Sequence, residues 1–270
     1  MNEQIKWITD LFDAHDIPYW IDCGTLLGLM REGDLLRKGR ERPDYDIDIS
    51  MWGRYEPRFR SILPLVRKAG YAVRGYSCDK MIFKYALLPS RIDFSLRSLA
   101  WIDVSIYRKH GDYAWCPDYY PVKPDKQGLI RYLPRSIRDT LSSILAGWSI
   151  PQVRLMRRWV TVDVCAWPLR LFYNVGTNWI PYFYVDRIER LRDSGILLPQ
   201  DWQNYLEFRY GDWKTPVEEW RFEEDDRGFQ CKTPQEMTKN FSGLAELEEA
   251  NLHTKRSETT SERSVTRSRS

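Results

Sequence analysis

Histidine is scarce in this chain and cysteine is scattered. The three histidines, His15, His110 and His253, show neither triad nor metal-ligand spacing. The five cysteines, Cys23, Cys78, Cys116, Cys165 and Cys231, include no Cys-x-x-Cys pair and form no cluster with histidine. A zinc site is therefore not expected. Reduced thiols in a cytoplasmic compartment are the expectation, each cysteine serving as small buried filler. Cys23 has no evident base beside it, which argues against a thiol mechanism. Long apolar runs are also missing. The richest stretch, 144–173, is broken by Arg154, Arg157, Arg158, Asp163 and Arg170, so no membrane span is expected. Met1–Lys6 is polar and shows no secretory signal core. No internal repeat is present.

A strong charge of one sign is absent as well. The net charge is +3. The tail from Asn251 accounts for it through Lys255, Arg256, Arg263, Arg267 and Arg269 against Glu258 and Glu262. The rest of the chain is close to neutral, so no nucleic acid partner is expected. That tail has almost nothing to bury and is expected to be disordered over 246–270.

Aromatic residues are plentiful, with 12 tryptophans and 16 tyrosines. They suit cores, stacking platforms and membrane interfaces alike and decide nothing alone. Trp148, Trp159, Trp167 and Trp179, with Arg154, Arg157 and Arg158, fit either peripheral membrane contact through an interfacial helix or a buried helical subdomain.

The periodicities predict helices over 3–15, 24–31 and 56–68, the last ended by Gly70. Strands are expected over 19–22, 45–51, 71–76, 81–88, 91–96 and 101–107. Helical or interfacial segments are expected over 136–148 and 152–173, and helices over 182–193 and 202–210, the last ended by Gly211. This order gives a mixed α/β front half, residues 1–133, and a helical, aromatic back half, residues 134–245. A cleft between them is the natural substrate site.

The chemistry concentrates in two places. Gly24-Thr25 opens a helix just after a strand, where backbone N–H groups and a hydroxyl suit a phosphate. Downstream, Asp44-Tyr45-Asp46-Ile47-Asp48-Ile49 places carboxylates at every other position of a strand. Alternating residues share a face, so Asp44, Asp46 and Asp48 point the same way, roughly 6.6 Å apart between neighbours. Such a set repels itself unless a cation sits among it, and oxygen ligands favour Mg²⁺ or Mn²⁺. Asp46 and Asp48 lead the assignment. Asp44 either extends the site or only starts the strand after Pro43.

A further carboxylate is expected from a neighbouring strand, and Asp103 has stronger strand context than Asp93. Arg31 lies two turns into the helix, placed either to reach a phosphate or at a solvated helix end. Arg37, Lys38, Arg40 and Arg42 form a loop that either grips an anion or is simply solvated. Lys84, inside an apolar strand, is a better cation candidate than most.

With these residues in view, the chain resembles the LicD/fukutin family of the nucleotidyltransferase superfamily. The resemblance runs from Ile17-Pro18-Tyr19-Trp20-Ile21-Asp22-Cys23-Gly24-Thr25-Leu26-Leu27-Gly28 through Arg31-Glu32-Gly33-Asp34 to Asp44–Ile49. Trp101–Val104 looks like the family's later acidic strand, and Tyr205–Trp213 like its closing segment. The segment Leu35–Arg42 departs from the family pattern, being longer, basic and without its Trp.

The resemblance implies an α/β fold with a nucleotidyltransferase-like mixed sheet core and a helical, aromatic-rich C-terminal half. It implies metal-dependent transfer of a phospho-alcohol, of phosphocholine or ribitol-phosphate type, from a CDP-activated donor to a glycan hydroxyl. On that analogy Asp46, Asp48 and Asp103 hold Mg²⁺ or Mn²⁺, while Asp44 stays either a further ligand or the start of the strand. Gly24 and Thr25 cradle the donor phosphates, and one carboxylate takes the acceptor proton. Arg31 and Lys84 are the candidate cationic contacts from their own positions. Two rival readings remain: an inactive nucleotide-binding or scaffold protein, and a nucleotidyltransferase acting on RNA or protein.

Overall fold

The computed structural model describes residues 3–35, 37–38, 42–43, 46–78, 81–89, 100–121, 160–163, 173–192, 194–217 and 220–231. Asp44, Asp93, Trp148, Trp159, Trp167 and the segments expected over 91–96, 136–148 and 246–270 lie outside them.

The chain opens with helix α1 (Glu3–Ala14), strand β1 (Tyr19–Ile21) and helix α2 (Cys23–Glu32). The short strands β2 (Arg37–Lys38) and β3 (Arg42–Pro43) pair as a hairpin within the basic segment. The acidic strand β4 (Asp46–Trp52) follows, then helix α3 (Glu56–Lys68). Strands β5 (Tyr71–Cys78), β6 (Met81–Pro89), β7 (Trp101–His110) and β8 (Tyr113–Pro121) complete the front half. Beyond it lie β9 (Val160–Asp163), β10 (Tyr173–Pro181), β11 (Ile188–Arg190), β12 (Leu197–Pro199), helix α4 (Trp202–Tyr210) and β13 (Phe229–Cys231).

Among the described residues nine strands make one mixed sheet in the order β13-β10-β8-β7-β6-β5-β9, with β4 paired to β7 and β1 to β4. The β4–β7 ladder is parallel, whereas β5–β6, β6–β7 and β7–β8 are antiparallel. The fold is α/β, as the sequence pattern implies.

Strand alternation sorts the sheet's residues by face. Ile47, Ile49, Ile102, Val104, Tyr85 and Leu87 share one face and are fully buried. α1 and α3 cover that face. Phe12 meets Phe59 with ring centroids 5.3 Å apart, Trp7 stacks on Tyr71 at 5.1 Å, and Phe59 meets Tyr85 at 5.2 Å. The helix predicted over 3–15 buries one apolar stripe, Ile5, Ile8 and Phe12, all fully buried. Burial of side chains of this size stabilises by roughly 1.5–3 kcal/mol each. The opposite face carries Asp46, Asp48, Lys84 and Asp103, with α2 above β4.

The back half differs from its expectation. Residues 160–163, within the segment expected as helical or interfacial over 152–173, form a strand, and a second strand, which the sequence pattern did not mark, runs over 173–181. Val160-Thr-Val-Asp163 pairs in parallel with Arg74–Ser77, and Tyr173–Pro181 pairs along its whole length with β8. Both are rich in β-branched or aromatic residues, and at 160–163 an open ladder edge outweighed the helical spacing of the apolar positions. In place of the helix expected over 182–193, residues 182–190 form a 3₁₀ turn at Tyr182–Tyr184 and then β11, paired with β12. Trp179 therefore sits on a strand and not on an interfacial helix. α4 forms where expected and ends at Gly211 with φ +69°. No helix among the described residues is long and apolar enough to cross a membrane.

The cysteines are not uniformly reduced. Cys23 and Cys116 are free thiols, but Cys78 at the end of β5 is disulfide-bonded. That bond removes the ground for inferring a reducing compartment.

Candidate active site

The site is assembled where α2 begins above β4. Asp22, the last residue before the helix, is its N-cap, and its Oδ1 accepts the Cys23 N–H at 2.8 Å. The Leu26 N–H reaches the Asp22 carbonyl at 3.0 Å. The N–H groups of Gly24 and Thr25 are thus the first-turn donors left over by the helix's own ladder. They sit at the positive end of the helix dipole, where an anion is favoured.

Thr25 ties this turn to the acidic strand. Its buried hydroxyl accepts the Asp48 N–H at 2.7 Å and donates weakly to the Asp46 carbonyl at 3.4 Å. The hydroxyl expected to hold phosphate is therefore committed to the backbone of β4. Any phosphate contact from Thr25 falls to its N–H group.

Asp48 lies directly opposite Asp103 in the β4–β7 register, and Asp46 opposite Trp101. Asp46 is exposed, while Asp48 and Asp103 are half-buried. Burial pushes the Asp48 carboxyl well above the usual carboxylate range, and the charges of Asp103 and Asp46 push it further. Burial also raises Asp103, partly offset by Lys84.

Lys84 answers these charges. Its Nζ lies 2.8 Å from Asp118 Oδ1 and 3.3 Å from Asp103 Oδ2. Burial alone would lower the Lys84 pKa, but the Asp118 and Asp103 carboxylates outweigh it and hold the ammonium charged. The ammonium also lies 5.6 Å from the centre of the Tyr119 ring, which is paired with Tyr76 at 4.7 Å.

Of the residues expected from sequence, Gly24, Thr25, Asp46, Asp48, Asp103 and Lys84 converge. Arg31 does not join them. It lies seven residues along α2 from Gly24, about 10 Å by helix rise, where its guanidinium donates to Glu32 and to the Trp213 carbonyl. Asp118 was not anticipated, because β8 carries no acidic alternation to mark it.

Among the described residues no group of three or more His, Cys, Asp or Glu side chains is arranged to hold a metal ion. The donor chemistry nonetheless suits a hard cation. Asp46, Asp48 and Asp103 offer only oxygen, and the mutual repulsion at Asp48 is what a divalent ion would relieve.

The sequence also gave no sign of a buried network behind the helix start. Asp22 is fully buried and Arg209 is 3 % exposed. Arg209 Nη1 reaches Asp22 Oδ1 at 3.2 Å, and its Nε reaches Asp226 Oδ2 at 2.9 Å. Tyr205 donates its hydroxyl to Asp22 Oδ1 at 2.6 Å, and Ser50 donates to Asp22 Oδ2 at 2.6 Å. The Asp at the N-cap position was the one local signal available.

Residues 16–120 match the family model described as LicD/FKTN/FKRP, nucleotidyltransferase domain. The matched stretch contains Asp22, Gly24, Thr25, Asp46, Asp48, Lys84, Asp103 and Asp118, whereas Arg209 and Asp226 lie beyond it. Among curated proteins none matches the chain.

Proposed function

We propose, for a chain whose residues 16–120 belong to the LicD/FKTN/FKRP family, transfer of a phospho-alcohol from a CDP-activated donor to a glycan hydroxyl. The family membership supports a transferase of the LicD/fukutin type with a role in glycan modification. Donor, acceptor and metal dependence are part of the proposal. One observation carries it above the others. A helix start suited to phosphate is tied by the Thr25 hydroxyl to the strand that bears Asp48, directly opposite Asp103.

In this reading the Gly24 and Thr25 N–H groups bind the donor's phosphate oxygens. Asp46, Asp48 and Asp103 would hold Mg²⁺ or Mn²⁺, which supplies neutralisation of charge developing on the phosphoryl oxygens. The acceptor hydroxyl oxygen forms a bond to the β-phosphorus as the bond from that phosphorus to the CMP oxygen breaks. The hydroxyl proton passes to a carboxylate of the set, and CMP leaves. Lys84 limits the repulsion among the carboxylates and keeps Asp103 and Asp118 in place.

Calorimetric titration with CDP-choline and CDP-ribitol, with and without Mn²⁺, tests the reading on wild type and Asp46→Asn. Metal-dependent binding that the substitution abolishes is the expected result. Folded protein that binds neither donor counts against it.

A second reading is a nucleotide-binding protein without catalysis. The Lys84 ammonium already neutralises Asp103 without a metal, which favours it. Nucleotide binding that is indifferent to Mn²⁺, with no CMP released, would support this alternative.

A further inference from the structure

Arg209 reaches the helix start from outside the family-matched residues. A guanidinium at 3 % exposure is costly unless its donors are met. Nη1 is shared among Asp22 Oδ1 at 3.2 Å, the Tyr205 hydroxyl at 3.0 Å and Cys23 Sγ at 3.1 Å. Nη2 donates to Asn178 Oδ1 at 3.0 Å, and Nε to Asp226 Oδ2 at 2.9 Å. One planar fork thus joins β10, α4 and the Asp226 turn to the residue that caps α2. A lysine ammonium cannot reproduce it, because a point charge on a flexible stem lacks the fixed spread of donors.

The far end of this network is the turn that the proposed donor site depends on. Cys23, the first residue of α2, has φ +47°, a conformation costly for a side-chain-bearing residue. Strain of this kind persists only where the surroundings over-determine it. Here the surroundings are Asp22, gripped through both carboxylate oxygens, and Arg209 against the Cys23 sulfur. The next two residues are Gly24 and Thr25, whose N–H groups the donor-site reading assigns to the diphosphate.

We propose that Arg209 is a positioning residue for nucleoside diphosphate binding, holding the Asp22–Cys23 turn so that the Gly24 and Thr25 N–H groups stay aimed at the diphosphate. The inference rests on the donor-site reading above. It makes Asn178, Arg209 and Asp226 working parts of the site through the turn they hold.

The test uses the full chain and CDP as the probe. Arg209→Lys and the milder Asn178→Ala and Asp226→Asn are compared with wild type by calorimetry and by the amide resonances of Gly24 and Thr25. A core variant far from the turn, Ile62→Val, controls for lost stability. Arg209→Lys is expected to bind CDP on the order of tenfold more weakly or worse, with both amides shifted before ligand is added. The milder variants should move in the same direction, and Ile62→Val should bind as wild type. If Arg209→Lys fails to fold, the two milder variants decide. CDP affinity and both amides unchanged in folded Arg209→Lys, or in both milder variants, would overturn the inference. Wild type that does not bind CDP, with both amides still shifted in Arg209→Lys, would overturn the donor reading and leave the clamp on the turn supported.

Discussion

Asp48 and Asp103 stand opposite each other across the parallel β4–β7 ladder, on the same side of the sheet. Burial and mutual repulsion raise the Asp48 carboxyl, so without a cation the pair costs stability. In a chelating buffer Asp48→Asn should gain on the order of 1 kcal/mol while losing metal-dependent donor binding. Urea denaturation and calorimetry read the two effects on one preparation. A variant that is less stable than wild type would show that the pair is not under repulsion.

Lys84 is buried between two carboxylates, and removing one partner of a buried ion pair strands the others. Lys84→Met should destabilise by about 3 kcal/mol. Adding Asp118→Asn should restore part of the loss, since one stranded charge is removed. Denaturant midpoints for the two single variants and the double variant check this through their coupling. Strict additivity would mean that Lys84 and Asp118 do not depend on each other.

Thr25 separates two roles that its hydroxyl was given. Thr25→Val keeps the shape but leaves the Asp48 N–H without its acceptor, at a cost of about 1–3 kcal/mol. Thr25→Ser keeps the hydroxyl and should cost much less. Thermal unfolding of the two proteins without ligand makes the comparison. Equal stability would move the role of the hydroxyl from β4 to the ligand.

Tyr19 provides a test of burial by pH. Burial pushes its phenol up to about 12, with the Leu197 N–H partly offsetting it and Asp13 adding to it. The folded pKa is raised, so the neutral phenol's stabilisation is complete below about pH 10 and is lost as pH rises through the folded value. Wild type should lose on the order of 2–3 kcal/mol more than Tyr19→Phe across that window. Parallel alkaline stability curves for the two proteins would contradict the assignment.

Cys78 is disulfide-bonded. Thiol titration in denaturant without reductant should therefore count two fewer thiols than the five cysteines in the sequence. A full count of five would restore the reduced reading.

The local elements were legible wherever chemistry and periodicity agreed. The stripe Ile5, Ile8, Phe12, the Asp-Ile-Asp alternation of β4 and the helix ending at Gly211 each depend on neighbours within a few residues. Residues 160–163 misled because their apolar spacing fits a helix, and only an open ladder edge on β5 makes them a strand; 174–181 carried no local signal, and the edge of β8 makes it one.

The chain by itself determined that a Gly-Thr helix start and an acidic strand belong together, since their residue types and spacing carry that chemistry locally. The tertiary structure alone decided which groups answer the carboxylates. Lys84 meets Asp118 from 34 residues away, and Arg209 meets Asp22 from 187 residues away. Neither partner is marked in its own segment, because an ion pair between distant residues is specified by sheet register and helix packing and leaves no periodicity in the sequence.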